Sequence, residues 1–142
     1  MTHLERPLPE PDDLTRFYWE HARQHQLAIL RCGDCGAFVH PPRPLCRGCL
    51  SDDLAPHVMS GRGRVYSYTL THYVFHPAFA DVVPYPVALI ELEEDPGVRI
   101  VSNLVQIDPR RIRSGLAVEV VFEDVSEEIS LPMFRPRGAD PA

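Results

Sequence analysis

The chain holds four cysteines, Cys32, Cys35, Cys46 and Cys49, set as CGDC and CRGC with ten residues between the pairs. A Cys-x-x-Cys pair bends the backbone into a knuckle that points two thiolates at one ion, and two knuckles complete a tetrahedral four-sulfur shell. Whatever else the chain folds into, residues 32–35 and 46–49 have to meet. Zinc suits such a shell, because it carries no ligand-field penalty in tetrahedral geometry, and a closed set of four thiolates points to structure rather than catalysis. The spacing alone leaves two alternatives open: a pair of disulfides, and a rubredoxin-like iron site or iron–sulfur cluster. Gly36 follows the first knuckle but Leu50 follows the second, where glycine would take the left-handed turn most readily.

At 142 residues the chain is long enough for one compact domain with a small metal-stapled module, and too short for two full cores. Its 15 prolines and 8 glycines favour a loop-rich, mainly β architecture. No stretch has the length of a membrane span, and the start, MTHLERPLPEPDD, lacks an apolar signal core. A cytoplasmic location is therefore expected, where thiols stay reduced and hold metal. The formal charge of −6 opposes nucleic acid, and four ionised thiolates around zinc deepen it. All fourteen basic residues are arginine, which excludes a Schiff-base or phosphate-loop lysine and makes any anion site an arginine or backbone site.

Along the chain, Pro7, Pro9 and Pro11 mark an extended arm, and Asp12 or Asp13 is placed to cap a helix. Leu14, Phe17, Tyr18, His21, Ala22 and His25 recur at helical spacing, so DDLTRFYWEHARQHQL predicts about four turns. Trp19 lies off that stripe, as it would if a partner packed on a second side of the helix. Arm and helix occupy residues 1–30, a metal ribbon residues 31–56, and a β domain residues 57–142. The ribbon has too little apolar area to fold without its metal. His40 lies near it but is expected to pack rather than ligate, since the shell is already full. Alternating apolar residues then predict five strands, in GRGRVYSYTLTHYV, VALIELEE, VRIVSNLVQI, LAVEVVFEDV and ISLPMFRP, with a hairpin turn at EDPG. A short helical turn from Pro109 to Gly115, between the third and fourth strands, is what a five-stranded OB barrel requires.

These residues carry a likeness. The aromatic helix FYWEHARQHQ, PPR after the first knuckle, GRG before the first barrel strand, and the endings VFEDV and LPMFRP together resemble the zinc-ribbon plus OB-fold proteins of acyl-CoA metabolism, over residues 14–137. Leu50, where many relatives carry glycine, is the departure. The resemblance implies an N-terminal helix, a rubredoxin-like zinc ribbon and an OB barrel. It also implies a non-catalytic accessory subunit of a thiolase-like enzyme, such as the thiolases and aldolases that shorten steroid side chains. Some relatives accompany hot-dog-fold enoyl-CoA hydratases. Since no hydratase domain accompanies this chain, a separate small subunit in a hetero-oligomer is the expectation.

Candidate residues for that role follow from chemistry. The connection THYVFHPAFADVVPYP is long for a barrel loop and rich in aromatics, so His72, Tyr73, Phe75, His76, Phe79 and Tyr85 either line an acyl or pantetheine channel or cap the barrel end. Arg62, Arg64, Arg110 and Arg111 are the arginines available to a CoA phosphate, and Phe17, Tyr18 and Trp19 to a partner. No catalytic residue is assigned. Asp52 with Asp53, and Glu91, Glu93, Glu94 and Asp95 at the hairpin tip, read as solvated turns. A zinc-ribbon and OB module for nucleic acid is the competing class, and it would need a basic, aromatic groove.

Overall fold

The structure, a computed structural model, describes residues 6–138; the first five residues of the expected arm and the last four of the barrel range lie outside the described residues. One helix, α1 (Arg16–Arg23), precedes three short strands, β1 (Ala28–Cys32), β2 (Phe38–Val39) and β3 (Leu54–Val58), which form an antiparallel sheet of order β2-β1-β3. Five strands follow, β4 (Arg62–Thr71), β5 (Tyr85–Leu92), β6 (Asp95–Asn103), β7 (Ala117–Asp124) and β8 (Ser130–Pro136), ordered β6-β5-β4-β7-β8. This sheet curls until its two outer strands meet. Leu104 forms a parallel bridge with Phe134, the Val105 N–H donates to the Phe134 carbonyl at 2.8 Å, and the Ser102 hydroxyl donates to the Pro132 carbonyl at 2.8 Å. The short 3₁₀ turn Pro109–Arg111, capped by the Asp108 carboxylate, sits between β6 and β7 as expected for an OB fold.

Strand β1 joins ribbon to barrel. Side chains alternate across a strand, so Ile29, with Leu27 just before it, enters the barrel core beside Val65, Ile90, Val118 and Phe134. Leu30 and Cys32 instead pack with Val39 and Cys46. The helix is shared in the same way: Phe17 lies on the metal side and Tyr18 on the barrel core.

The helix is eight residues long rather than four turns. At its start the Asp12 carboxylate accepts from the Leu14 and Thr15 N–H groups at 3.0 and 2.9 Å, holding residues 12–15 in a separate turn. At its end the Gln26 N–H returns to the His21 carbonyl and the His25 N–H to Ala22, with His25 at φ 57°. This is the Schellman arrangement, here without glycine. His25 is held there because its ring stacks on Phe122, centroids 5.2 Å apart, and its Nε2 bonds Asp124 at 2.9 Å.

The first hairpin also turns earlier than EDPG suggests. Leu92 pairs with Asp95, so Glu93 and Glu94 form the turn and Asp95–Gly97 belong to β6. The acidic tip is engaged rather than merely solvated: Glu94 accepts from the Ser60 N–H at 2.7 Å, Glu93 from Arg62 at 2.8 Å, and Glu91 lies 3.5 Å from Arg99. The GRG motif has a steric cause. A Cβ on Gly63 would sit 2.4 Å from the Glu91 carbonyl, and one on Gly61, at φ +81°, 2.4 Å from Val120.

Candidate metal centre and surrounding surface

The two knuckles repeat one hydrogen-bond pattern. The Cys32 N–H donates to the Ala37 carbonyl and the Gly36 N–H to Cys32; the Cys46 N–H donates to Ser51 and the Leu50 N–H to Cys46, all between 2.8 and 3.0 Å. Closing that loop demands a left-handed residue fourth after the leading cysteine, and Gly36 (φ 77°) and Leu50 (φ 63°) both supply it. Leucine pays a Cβ–carbonyl clash for this conformation, while its side chain is 72% exposed. Leu50→Gly is therefore expected to raise stability by roughly 0.5–1 kcal/mol, the relieved clash less the added freedom of the unfolded chain. Urea unfolding of the zinc-loaded protein measures it, and a loss of stability would show that the leucine side chain holds a contact.

The four sulfurs lie within 4.8 Å of one another, with Cys32 to Cys49 at 3.5 Å and Cys35 to Cys46 at 3.6 Å. Tetrahedral zinc at about 2.3 Å from each sulfur sets neighbouring sulfurs about 3.8 Å apart, so the cluster fits the ion and is far too open for S–S bonds. Backbone N–H groups favour thiolate and prevail at two of the four sulfurs, while the neighbouring sulfurs of Cys46 and Cys32 outweigh them and push Cys35 and Cys49 up, Cys49 to about 12. The Cys35 N–H points at the Cys32 sulfur and helps draw that thiol down to about 7, and the N–H groups of Cys49 and Gly48 lower Cys46. Cys32 and Cys46 are buried, and Cys35 and Cys49 face outward. Zinc with four thiolates is closed to substrate, so the centre is structural. His40 stays out of it, half-buried beside Tyr18 with its pKa lowered by burial.

The other candidates separate. Tyr73 and Phe75 meet edge to face at 4.8 Å and are 70% and 76% exposed. Phe79 packs between His76 and Tyr85, with the Arg6 guanidinium 5.5 Å above its ring. His76 Nδ1 accepts from the Ala78 N–H, capping the 3₁₀ turn Pro77–Phe79, and His72 is exposed. Among the arginines, Arg62 pairs with Glu93, Arg64 donates to the Gly115 carbonyl at 3.0 Å, and Arg110 forks onto Asp108. That fork holds the Asp108 carboxyl down at about 2. Arg111 is exposed. Of the helix residues, Phe17 packs on the metal cluster. Tyr18 and Trp19, in edge contact at 5.0 Å, line an apolar cleft of about 400 Å³ with Pro41, Ile100 and Val101. Burial in this corner pushes the Tyr18 phenol up to about 12.

One constellation escaped the sequence: His25, Asp124 and Ser130 converge. Their order is wrong for a nucleophilic triad, since the Ser130 hydroxyl and the His25 imidazole both bond the same Asp124 oxygen and the imidazole does not reach the hydroxyl through that bond. The trio ties the helix C-terminus to β7 and β8. Nothing in the sequence joins residues 99 positions apart.

Residues 19–55 match the domain described as ChsH2, rubredoxin-like zinc ribbon, and residues 57–123 the ChsH2, C-terminal OB-fold domain. In the solved structure of an Ltp2-ChsH2(DUF35) aldolase, one chain is 41% identical to this one at a TM-score of 0.82, covering 91% of this chain and 98% of that one. A probable enoyl-CoA hydratase alpha subunit of Thermomonospora curvata is 43% identical over 92% of this chain, which spans 40% of that relative's length. A DUF35 domain-containing scaffold protein of Methanocaldococcus jannaschii is 35% identical over 78% of this chain and 77% of its own. No helix among the described residues is long and apolar enough to cross a membrane.

Proposed function

Because the chain belongs to the ChsH2 (DUF35) family of rubredoxin-like zinc ribbon and OB-fold proteins, we propose that it is a non-catalytic accessory subunit of a thiolase-like enzyme that cleaves or forms carbon–carbon bonds of an acyl-CoA. The observation that carries this reading is its likeness, across 98% of the matched chain, to one chain of an aldolase named for two components, together with its match to the ChsH2 domains. The chemistry of the residues agrees. The cysteines are closed around zinc, and the Ser–Asp–His set is a strut. The reacting groups then come from the large subunit, and this chain stabilises that subunit and helps hold the acyl-CoA. His76, Phe79 and Tyr85 of the loop and the exposed Arg111 are the groups it has to offer the acyl chain and the CoA phosphates. Its place is the cytoplasm, where four thiols stay reduced for zinc.

Co-expression with the thiolase-like protein of the same source, purified on one tag, tests the proposal. A stoichiometric zinc-containing complex is expected, active on acyl-CoA substrates, steroid side-chain thioesters included, where the large subunit alone is inactive. Failure to co-elute would overturn it. The 43% identity to a hydratase alpha subunit favours one second reading, partnership with a hot-dog-fold enoyl-CoA hydratase. Hydration of an enoyl-CoA by a complex with such a protein, and none with the thiolase-like one, would select it.

A further inference from the structure

We infer that the outer half of β4 and the loop behind it form the surface by which this chain grips its thiolase-like partner; the inference rests on the accessory-subunit reading above. Strand β4 pairs with β7 only through Arg62, Gly63 and Arg64, and its last bonds on that side join Val65 to Gly115 and Leu116. From Tyr66 to Thr71 the strand continues along β5 alone, and that edge has no backbone partner among the described residues. Six residues of open edge extend about 20 Å.

Open edges on soluble proteins are usually guarded by charge or proline. This one is not. The sixteen residues from Val65 to Ala80 contain no Asp, Glu, Arg or Lys, in a chain that is 24% charged, and the first proline after the strand is Pro77. A bulge at Tyr66 and the Arg99 guanidinium, 3.9 Å over the Tyr66 ring, lie only at the root of the edge. Further out, Tyr68 pairs with buried Ala88 and so points to the core side of the sheet, yet it is 39% exposed because β7 no longer covers it. Beyond the strand stand Tyr73, Val74 and Phe75, all exposed.

The character of this strip selects its occupant. The exposed parts of four aromatics, Tyr66, Tyr68, Tyr73 and Phe75, offer on the order of 400 Å², about half of what one side of a stable protein interface buries, before the backbone edge is counted. Aromatic, uncharged and edged with unpaired N–H and C=O groups, it matches an apolar protein surface that lends an extended segment. A nucleic acid would find only the Arg99 guanidinium, at the root of the edge. A second copy would bring two bodies of charge −6 together around a strip with nothing to offset them.

The test uses the co-expressed complex. Tyr73→Asp with Phe75→Asp changes two side chains that pack mainly on each other in solvent, so zinc content and thermal melting of the free chain are expected to be unchanged. In the complex, affinity is expected to fall about 100-fold, the effect of removing two central aromatic anchors. Those amides of residues 66–71 that point away from β5 should exchange slowly with deuterium in the complex and quickly in the free chain. A wild-type complex that the double variant matches in affinity, with these amides still exposed, would overturn the docking surface and leave the accessory role standing. Absence of any wild-type complex would overturn both. A free chain that is dimeric, with those outward amides protected, would assign the edge to a second copy instead.

Discussion

Cys46→Ser is expected to yield a protein without zinc that is largely insoluble, and chelation of the wild type should produce the same loss. Cys46 is buried, its N–H and carbonyl both close the second knuckle, and no fifth ligand stands with the four sulfurs among the described residues. A structural zinc contributes on the order of 10–16 kcal/mol, as large as the whole stability of a typical domain. Without it the ribbon keeps only Leu30, Val39, Phe17 and Leu54 around the empty knuckles, far too little apolar area to order residues 28–58.

The damage does not stop at the ribbon. Leu27 and Ile29 flank and enter β1, which is held by β2 and β3 on either side, and both reach into the barrel core. Melting the ribbon therefore withdraws two buried side chains from the barrel and exposes Met59, whose N–H bonds the Leu27 carbonyl at 2.7 Å. Zinc content by mass spectrometry, soluble yield and a thermal melt monitor the outcome. A Cys46→Ser protein that is soluble, zinc-loaded and melts like wild type would sink the structural-zinc assignment. The same metal analysis separates zinc from iron, whose four-sulfur centre would colour the protein red.

What the sequence disclosed here was local. Four thiolates at fixed spacing have one cheap geometry, and alternation in VALIEL or AVEVVF reports a half-buried strand without reference to anything else. What it hid depends on residues far away. Strand β3 contains Pro56, which argues against a strand, but β3 is an edge, and Pro56 opposite Leu30 needs no outward donor. The periodic stripe carried the helix through His25, because nothing nearby shows that Phe122 and Asp124 wait for that ring. Phe17 and Tyr18 look like one interface in the sequence; a turn of helix wedged between two cores sends them opposite ways. The arginines chosen for phosphate are likewise legible as cations but not as partners of Glu93, Gly115 and Asp108.

Phe134→Ala is expected to cost about 3–5 kcal/mol, the usual loss when a fully buried phenylalanine leaves a cavity. Phe134 has no exposed surface and sits where the sheet closes: its own backbone makes the bridge to Leu104 and accepts from Val105. The ring fills the space behind that seam, so alanine removes core packing where the two outer strands are joined by the Leu104 bridge, the Val105 N–H and the Ser102 hydroxyl rather than by a full ladder. Urea unfolding of the zinc-loaded variant measures the loss, and a cost below about 1 kcal/mol would mean that the seam collapses around the gap or was never closed by the ring. The four cysteines and their neighbours do not include Phe134, so the folded variant should still bind zinc in full. Its unfolding should nevertheless release the metal in the same transition that melts the barrel. A strand with Ile29 in one core and Cys32 at the other cannot remain ordered on one side alone, and a zinc centre that survived barrel unfolding would show that β1 does not couple them.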